Sequence, residues 1–138
     1  MNKVNQYQKV QVMTSDRIRL IIMLYDGIIR FNRCAQRAIK DGDIESRSKY
    51  INRSQAIIGE LQNSLNMEEG GEIARNLSRL YDFSMDKLAE ANLRNDVSAV
   101  NAVTKVIEEL KSGWEGIAAE KQQTGKDDSH KTGISCGV

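Results

Sequence analysis

Tyrosine and aspartate stand side by side twice, as Tyr25-Asp26 within LIIMLYDGII and as Tyr81-Asp82 within NLSRLYDFSMDKL. A phenol beside a carboxylate could move a proton, the carboxylate serving as base and the phenol as acid. Such chemistry needs a further group, and the sequence offers none. The only histidine, His130, lies near the C-terminal end, so no His-based triad or zinc site can form in the patterned part of the chain. Asp41, Asp43 and Glu45 gather carboxylates around Gly42, but no twelve-residue loop closing on a glutamate follows, as calcium would require. Gly70-Gly71 lacks the lysine and the preceding strand of a phosphate-binding loop. Cys34 and Cys136 have neither metal-ligand spacing nor the look of a disulfide framework. No catalytic residue, metal or cofactor is expected.

The elements that carry these residues read as helices. Proline is absent, and four amphipathic stretches follow one another. The first runs from about Asp16 to Lys40, capped by Ser15 or Asp16 and ended by Asp41-Gly42-Asp43. The second runs from about Ile44 to Leu65, and Glu68-Glu69-Gly70-Gly71 breaks it. The third runs from about Glu72 to Leu93, with Asn95-Asp96 as turn and cap. The fourth runs from about Val97 to Ala119. Helices of this length, joined by short breaks, must run antiparallel, which gives an all-α up-down four-helix bundle. Residues 1–15 form an N-terminal arm to the domain of residues 1–119. Residues 120–138 are polar and without periodicity, and read as a disordered tail. The two tyrosine–aspartate pairs then have a plainer meaning. They lie eight heptads apart, Leu24, Tyr25, Leu80 and Tyr81 fall on core positions, and Asp26 and Asp82 fall on the flank near water.

Composition narrows the function classes. Net charge is +1, so no bulk attraction to nucleic acid or membrane follows. The first 53 residues hold eleven Lys/Arg against five Asp/Glu, and the remainder nine against fourteen, an imbalance that a compact bundle largely cancels. No stretch suits a signal peptide or a bilayer span, so the chain reads as cytoplasmic, with reduced thiols.

A closed bundle leaves one feature over. Leu20 to Tyr25 are consecutively apolar and cover every direction around the first helix, whereas a bundle needs only an inward stripe. The excess needs a cover: the arm with Val10, Val12 and Met13, a second copy, or a partner laid into an apolar groove. The partner-facing candidates are Tyr7, Val10 and Val12 of the arm, with Leu20, Met23, Leu24, Ile28, Ile58, Leu61, Leu77 and Met85 of the helices.

Five motifs together are similar to one family. Leu24-Tyr25-Asp26-Gly27, Gly70-Gly71-Glu72-Ile73-Ala74, Leu80-Tyr81-Asp82, Ala91-Asn92 with Asn95-Asp96, and Trp114 resemble the FliS family, the flagellin-specific chaperones of bacterial flagellar export, over about residues 7–118. The resemblance implies a four-helix bundle with a mobile N-terminal cap. It implies binding of the disordered C-terminal segment of flagellin in apolar grooves, prevention of premature polymerisation, and delivery to an export-gate membrane protein of the flagellar type III apparatus. It allows an anti-sigma factor or co-chaperone as a further partner, without nucleic acid or membrane insertion. Tyr7 and Val12 match positions of the family's cap. The family often has proline where Arg17 stands, which leaves the hinge between cap and bundle less defined. Two other classes stay open: a regulatory adaptor using the same grooves, and a nucleic-acid-binding bundle using Arg17, Arg19, Arg30, Arg33, Arg37 and Lys40.

Overall fold

The computed structural model describes residues 13–124. Expectations for Tyr7, Val10 and Val12, and for residues 125–138, fall outside the described residues. Within them stand four helices: α1 Ser15–Lys40, α2 Ile44–Asn63, α3 Gly71–Arg94 and α4 Val97–Thr124. α1 packs against α2 and α4, and α3 against the same two, so the order around the bundle follows the chain. The architecture is the antiparallel up-down four-helix bundle that the periodicity predicts.

Local chemistry sets the ends. Thr14, rather than Ser15 or Asp16, caps α1: its Oγ1 accepts the Arg17 N–H at 3.1 Å. Three adjacent residues can all cap, and the helix takes the earliest, gaining one or two residues. Arg17 therefore uses the N–H that a proline would lack. Asp43 caps α2 by accepting the Ser46 N–H at 3.1 Å. Asp96 caps α4, accepting the N–H of Ser98 at 2.9 Å and its hydroxyl at 2.7 Å. Asn95 ends α3 with φ 57°, a left-handed conformation that asparagine tolerates. α4 runs to Thr124, five residues beyond the expected end at Ala119. Glu120 to Thr124 lack an apolar period, but glutamate, lysine and glutamine continue a helix at little cost.

The double glycine before α3 answers two different demands. Gly71 has φ 57°, and a Cβ on Gly70 would sit 2.6 Å from both the Ala74 Cβ and the Asn66 carbonyl oxygen. The turn closes on itself there, with Gly70 N–H donating to that same carbonyl at 2.7 Å.

The opposite end of the bundle is tied by polar side chains. Arg47 of α2 donates through Nε to Asn92 Oδ1 at 2.9 Å and through Nη1 to Asn95 Oδ1 at 3.0 Å, and Ser48 Oγ adds a third bond to Asn92. The Ala91-Asn92 and Asn95-Asp96 motif thus works as a clasp between α2 and the α3–α4 turn. In mid-bundle a buried polar layer joins three helices: Asn32 Nδ2 donates to Thr104 Oγ1 at 3.0 Å, and Ser54 Oγ donates to Asn32 Oδ1 at 2.6 Å. Such a layer favours one register, since sliding any helix would bury its polar groups unpaired. Cys34, buried on α1, is disulfide-bonded and not the reduced thiol expected. Pairing depends on spatial approach, which spacing along the chain does not encode.

Candidate partner-binding groove

The start of α1, the end of α2, the start of α3 and the distal part of α4 converge at one end of the bundle. Between them lies a half-open cavity of about 430 Å³, in the size range of pre-formed ligand sites. Met13 and Ile21, Leu61 and Leu65, Ile73, Ala74, Leu77 and Tyr81, and Trp114 give it apolar walls. Arg17, Ser64, Asn66, Glu69 and Gly70 supply its polar lining. Arg17 Nη2 lies 3.5 Å from the Ser64 carbonyl, at the negative end of the α2 dipole.

Tyr81 and Trp114 form the floor, and behind them Tyr25 completes an aromatic cluster that crosses the bundle diagonal. Tyr25 of α1 and Tyr81 of α3 meet edge to face, ring centroids 6.5 Å apart at 80°. Their hydroxyl oxygens are 2.6 Å apart, and Trp114 Nε1–H donates to the Tyr25 oxygen at 3.2 Å. Burial, foremost, pushes both phenols above the ordinary tyrosine value, and for Tyr81 the neighbouring Tyr25 adds to the rise. Both stay protonated at any physiological pH. Each adjoining aspartate faces outward to another partner. Asp26 pairs with Lys111 Nζ of α4 at 2.6 Å, and Asp82 accepts Gln62 Nε2 of α2 at 2.7 Å. The hydrogen bond that Lys111 donates to Asp26 is the main cause of its raised pKa. The phenols point inward and the carboxylates outward, so the acid–base reading of the pair has no geometry behind it.

The structure divides the candidate partner-facing residues. Leu61 and Leu77 line the groove. Leu24 and Met85 are partly buried against the core. Leu20 and Met23 are exposed on the outside of α1, at 53% and 42%. Ile28 and Ile58 are wholly buried in the core and have no surface to offer a partner. An apolar residue on an inward face looks the same in sequence whether it meets a neighbouring helix or an open cavity. Missing from the candidates were Met13, Ile21, Leu65, Ile73, Tyr81 and Trp114. Aligning the four helices by depth would have found several of them, since an up-down bundle brings the start of one helix beside the end of the next.

A second depression between α1 and α4 is polar. It is lined by Asp26, Arg30, Arg33, Glu108, Lys111 and Glu115 around Ile29. Opposite charges offset one another there: besides the Asp26 pair, Arg33 meets Glu108 at 3.4 Å and Lys111 meets Glu115 at 3.7 Å. Among the described residues, no cluster of histidine, cysteine or carboxylates could hold a metal ion, and no helix is long and apolar enough to cross a membrane.

Comparison with known proteins points to one family. The family model described as flagellar protein FliS matches residues 1–122. The flagellar secretion chaperone FliSB of Pseudomonas aeruginosa is 38% identical over 122 residues, covering 86% of this chain and 97% of the relative. The flagellar secretion chaperone FliS of Campylobacter jejuni is 40% identical over 113 residues, covering 82% and 88% respectively. That of Bacillus subtilis is 29% identical over 132 residues, covering 96% and 95%.

Proposed function

Because this chain belongs to the FliS family of flagellar secretion chaperones, we propose that it binds the C-terminal segment of flagellin in the groove floored by Tyr81 and Trp114. A chaperone family is not an enzyme class, and the role we infer needs no chemistry of its own. A disordered segment that later assembles with other subunits carries apolar surface that must be covered until then. A groove with apolar walls, half-open and bounded by rigid helices, suits the apolar face of a partner helix. The observation that carries the reading is this cavity with apolar walls at one end of the bundle. Held there, the segment is kept from premature polymerisation in the cytoplasm, and the complex is passed to an export-gate membrane protein.

The arm completes the proposal. Met13 already lines the groove, and VNQYQKVQV precedes it directly, with Tyr7, Val10 and Val12 available to cover apolar surface. In the free protein the arm lies over the groove, and flagellin displaces it. Covering the site lowers apparent affinity by the fraction of time it is closed, while protecting the surface from self-association. Leu20 and Met23, exposed on α1, extend the contact surface beyond the groove.

Titration with flagellin that keeps or lacks its C-terminal segment tests the reading. Binding is expected only when the segment is present, and equal binding by both forms would assign the groove another partner. Hydrogen exchange at residues 4–13 is expected to change when the segment is added; complete exchange within seconds in both states refutes the covering arm.

A further inference from the structure

Counting hydrogens in the aromatic cluster leaves one over. Trp114 Nε1–H, Tyr25 O–H and Tyr81 O–H bring three hydrogens to two phenol oxygens. The cluster forms two hydrogen bonds, the 3.2 Å contact from Trp114 to Tyr25 and the 2.6 Å contact between the hydroxyls. The third hydrogen has no acceptor among the described residues.

Two arrangements share that geometry. In one, Tyr81 donates to Tyr25, and the spare hydrogen is on Tyr25. That residue is wholly buried and does not line the groove, so its hydrogen would have no way to an acceptor. In the other, Tyr25 donates to Tyr81, and the spare hydrogen is on Tyr81, which lines the groove beside Trp114. An orphaned buried donor is costly, so the second arrangement prevails whenever the groove can supply an acceptor. Solvent supplies one while the groove is open. A wholly apolar occupant would expel the solvent and strand the hydrogen.

We propose that Tyr81 is a specificity-determining residue: the segment bound in the groove brings a neutral oxygen acceptor, a side-chain amide or a free main-chain carbonyl, to the Tyr81 hydroxyl. This rests on the flagellin-binding reading above. A carboxylate is disfavoured because it would be desolvated against apolar walls. Among apolar segments of similar length, the groove thus selects one with a polar atom placed at a single depth. Leu61, Leu77 and Ile73 favour any apolar side chain, whereas the hydroxyl fixes how the segment sits.

The test is calorimetric titration of the flagellin C-terminal segment into the full chain and into Tyr81→Phe, with circular dichroism to confirm that the variant is folded. The expected result is about two- to tenfold weaker binding by the variant, the worth of one neutral hydrogen bond. Unchanged or tighter binding overturns the proposal and leaves the flagellin reading standing, because the unaltered chain still binds. No binding by the unaltered chain overturns both. Should Tyr81→Phe fail to fold, NMR of the Tyr81 hydroxyl proton in the unaltered chain replaces it. Adding the segment should slow that proton's exchange with solvent, and unchanged or faster exchange overturns the proposal.

Discussion

Replacing Tyr25 or Tyr81 by phenylalanine should destabilise the bundle by similar amounts, but each change strands a different buried donor. The difference lies in connectivity. The Tyr25 oxygen holds both hydrogen bonds of the cluster, at 2.6 and 3.2 Å, whereas the Tyr81 oxygen holds one. Tyr25→Phe removes the hydroxyl pair, about 0.5–1.5 kcal/mol net, and strands the Trp114 N–H in a site only 8% exposed, about 1–3 kcal/mol more. The sum is about 2–4 kcal/mol. Tyr81→Phe also loses the pair and strands the O–H of wholly buried Tyr25, so its cost falls in the same range. The double variant lacks both hydroxyls and strands only the Trp114 N–H, so it should cost no more than Tyr25→Phe alone. For a chain of this size each kcal/mol lowers Tm by roughly 3–5 °C, so each single variant should melt roughly 10 °C lower. Urea unfolding followed by circular dichroism and by the fluorescence of Trp114, the only tryptophan, measures both. A far smaller loss for Tyr81→Phe, or additive losses in the double variant, would refute this reading of the cluster.

Other consequences can be checked on the same protein. Because burial raises both phenols, the folded chain keeps protons that the unfolded chain loses above about pH 10. Stability should be full below that pH and fall above it by about 1.4 kcal/mol per pH unit for each tyrosine, and urea midpoints at pH 9, 10 and 11 should fall less steeply in a Tyr25→Phe, Tyr81→Phe double variant. Gly70→Ala should cost about 1–3 kcal/mol, because its Cβ meets main-chain and Cβ atoms at 2.6 Å, whereas Gly59→Ala, in open space within α2, should stabilise by about 0.5–1 kcal/mol; thermal melts rank the pair. Ser54→Ala removes the donor to Asn32 Oδ1 and should cost about 1–3 kcal/mol in a urea melt.

What the sequence made legible follows from which forces are local. The apolar period of 3.6 marked all four helices, and the turns at Gly42, Gly70 and Asn95 fell where their residue types demanded. Cap choice at Thr14 was not legible, because Thr14, Ser15 and Asp16 offer the same chemistry in succession. Nor was the last turn of α4, where helix propensity alone carries residues that face no core. Tyr25 and Tyr81 were legible as core, but not the bond between them, since it joins helices across the diagonal. Ile28 and Leu61 illustrate the same limit within the groove. Both are inward-facing aliphatic residues, and only depth along the assembled bundle separates a core residue from a wall of the cavity.

The antiparallel order has a practical consequence for anyone handling this protein. Met13 lines the groove, and α4 continues ten residues beyond Trp114, about 15 Å at 1.5 Å per residue. The chain therefore enters and leaves the bundle at its open end. A probe attached near Met13 or at the end of α4 sits beside the mouth and would crowd any segment bound in the groove. Among the described residues, the opposite end carries the turns at Gly42 and Asn95. Asp41, exposed in the first of these, is the better anchor: a probe placed there reports on the bundle from the side away from the groove.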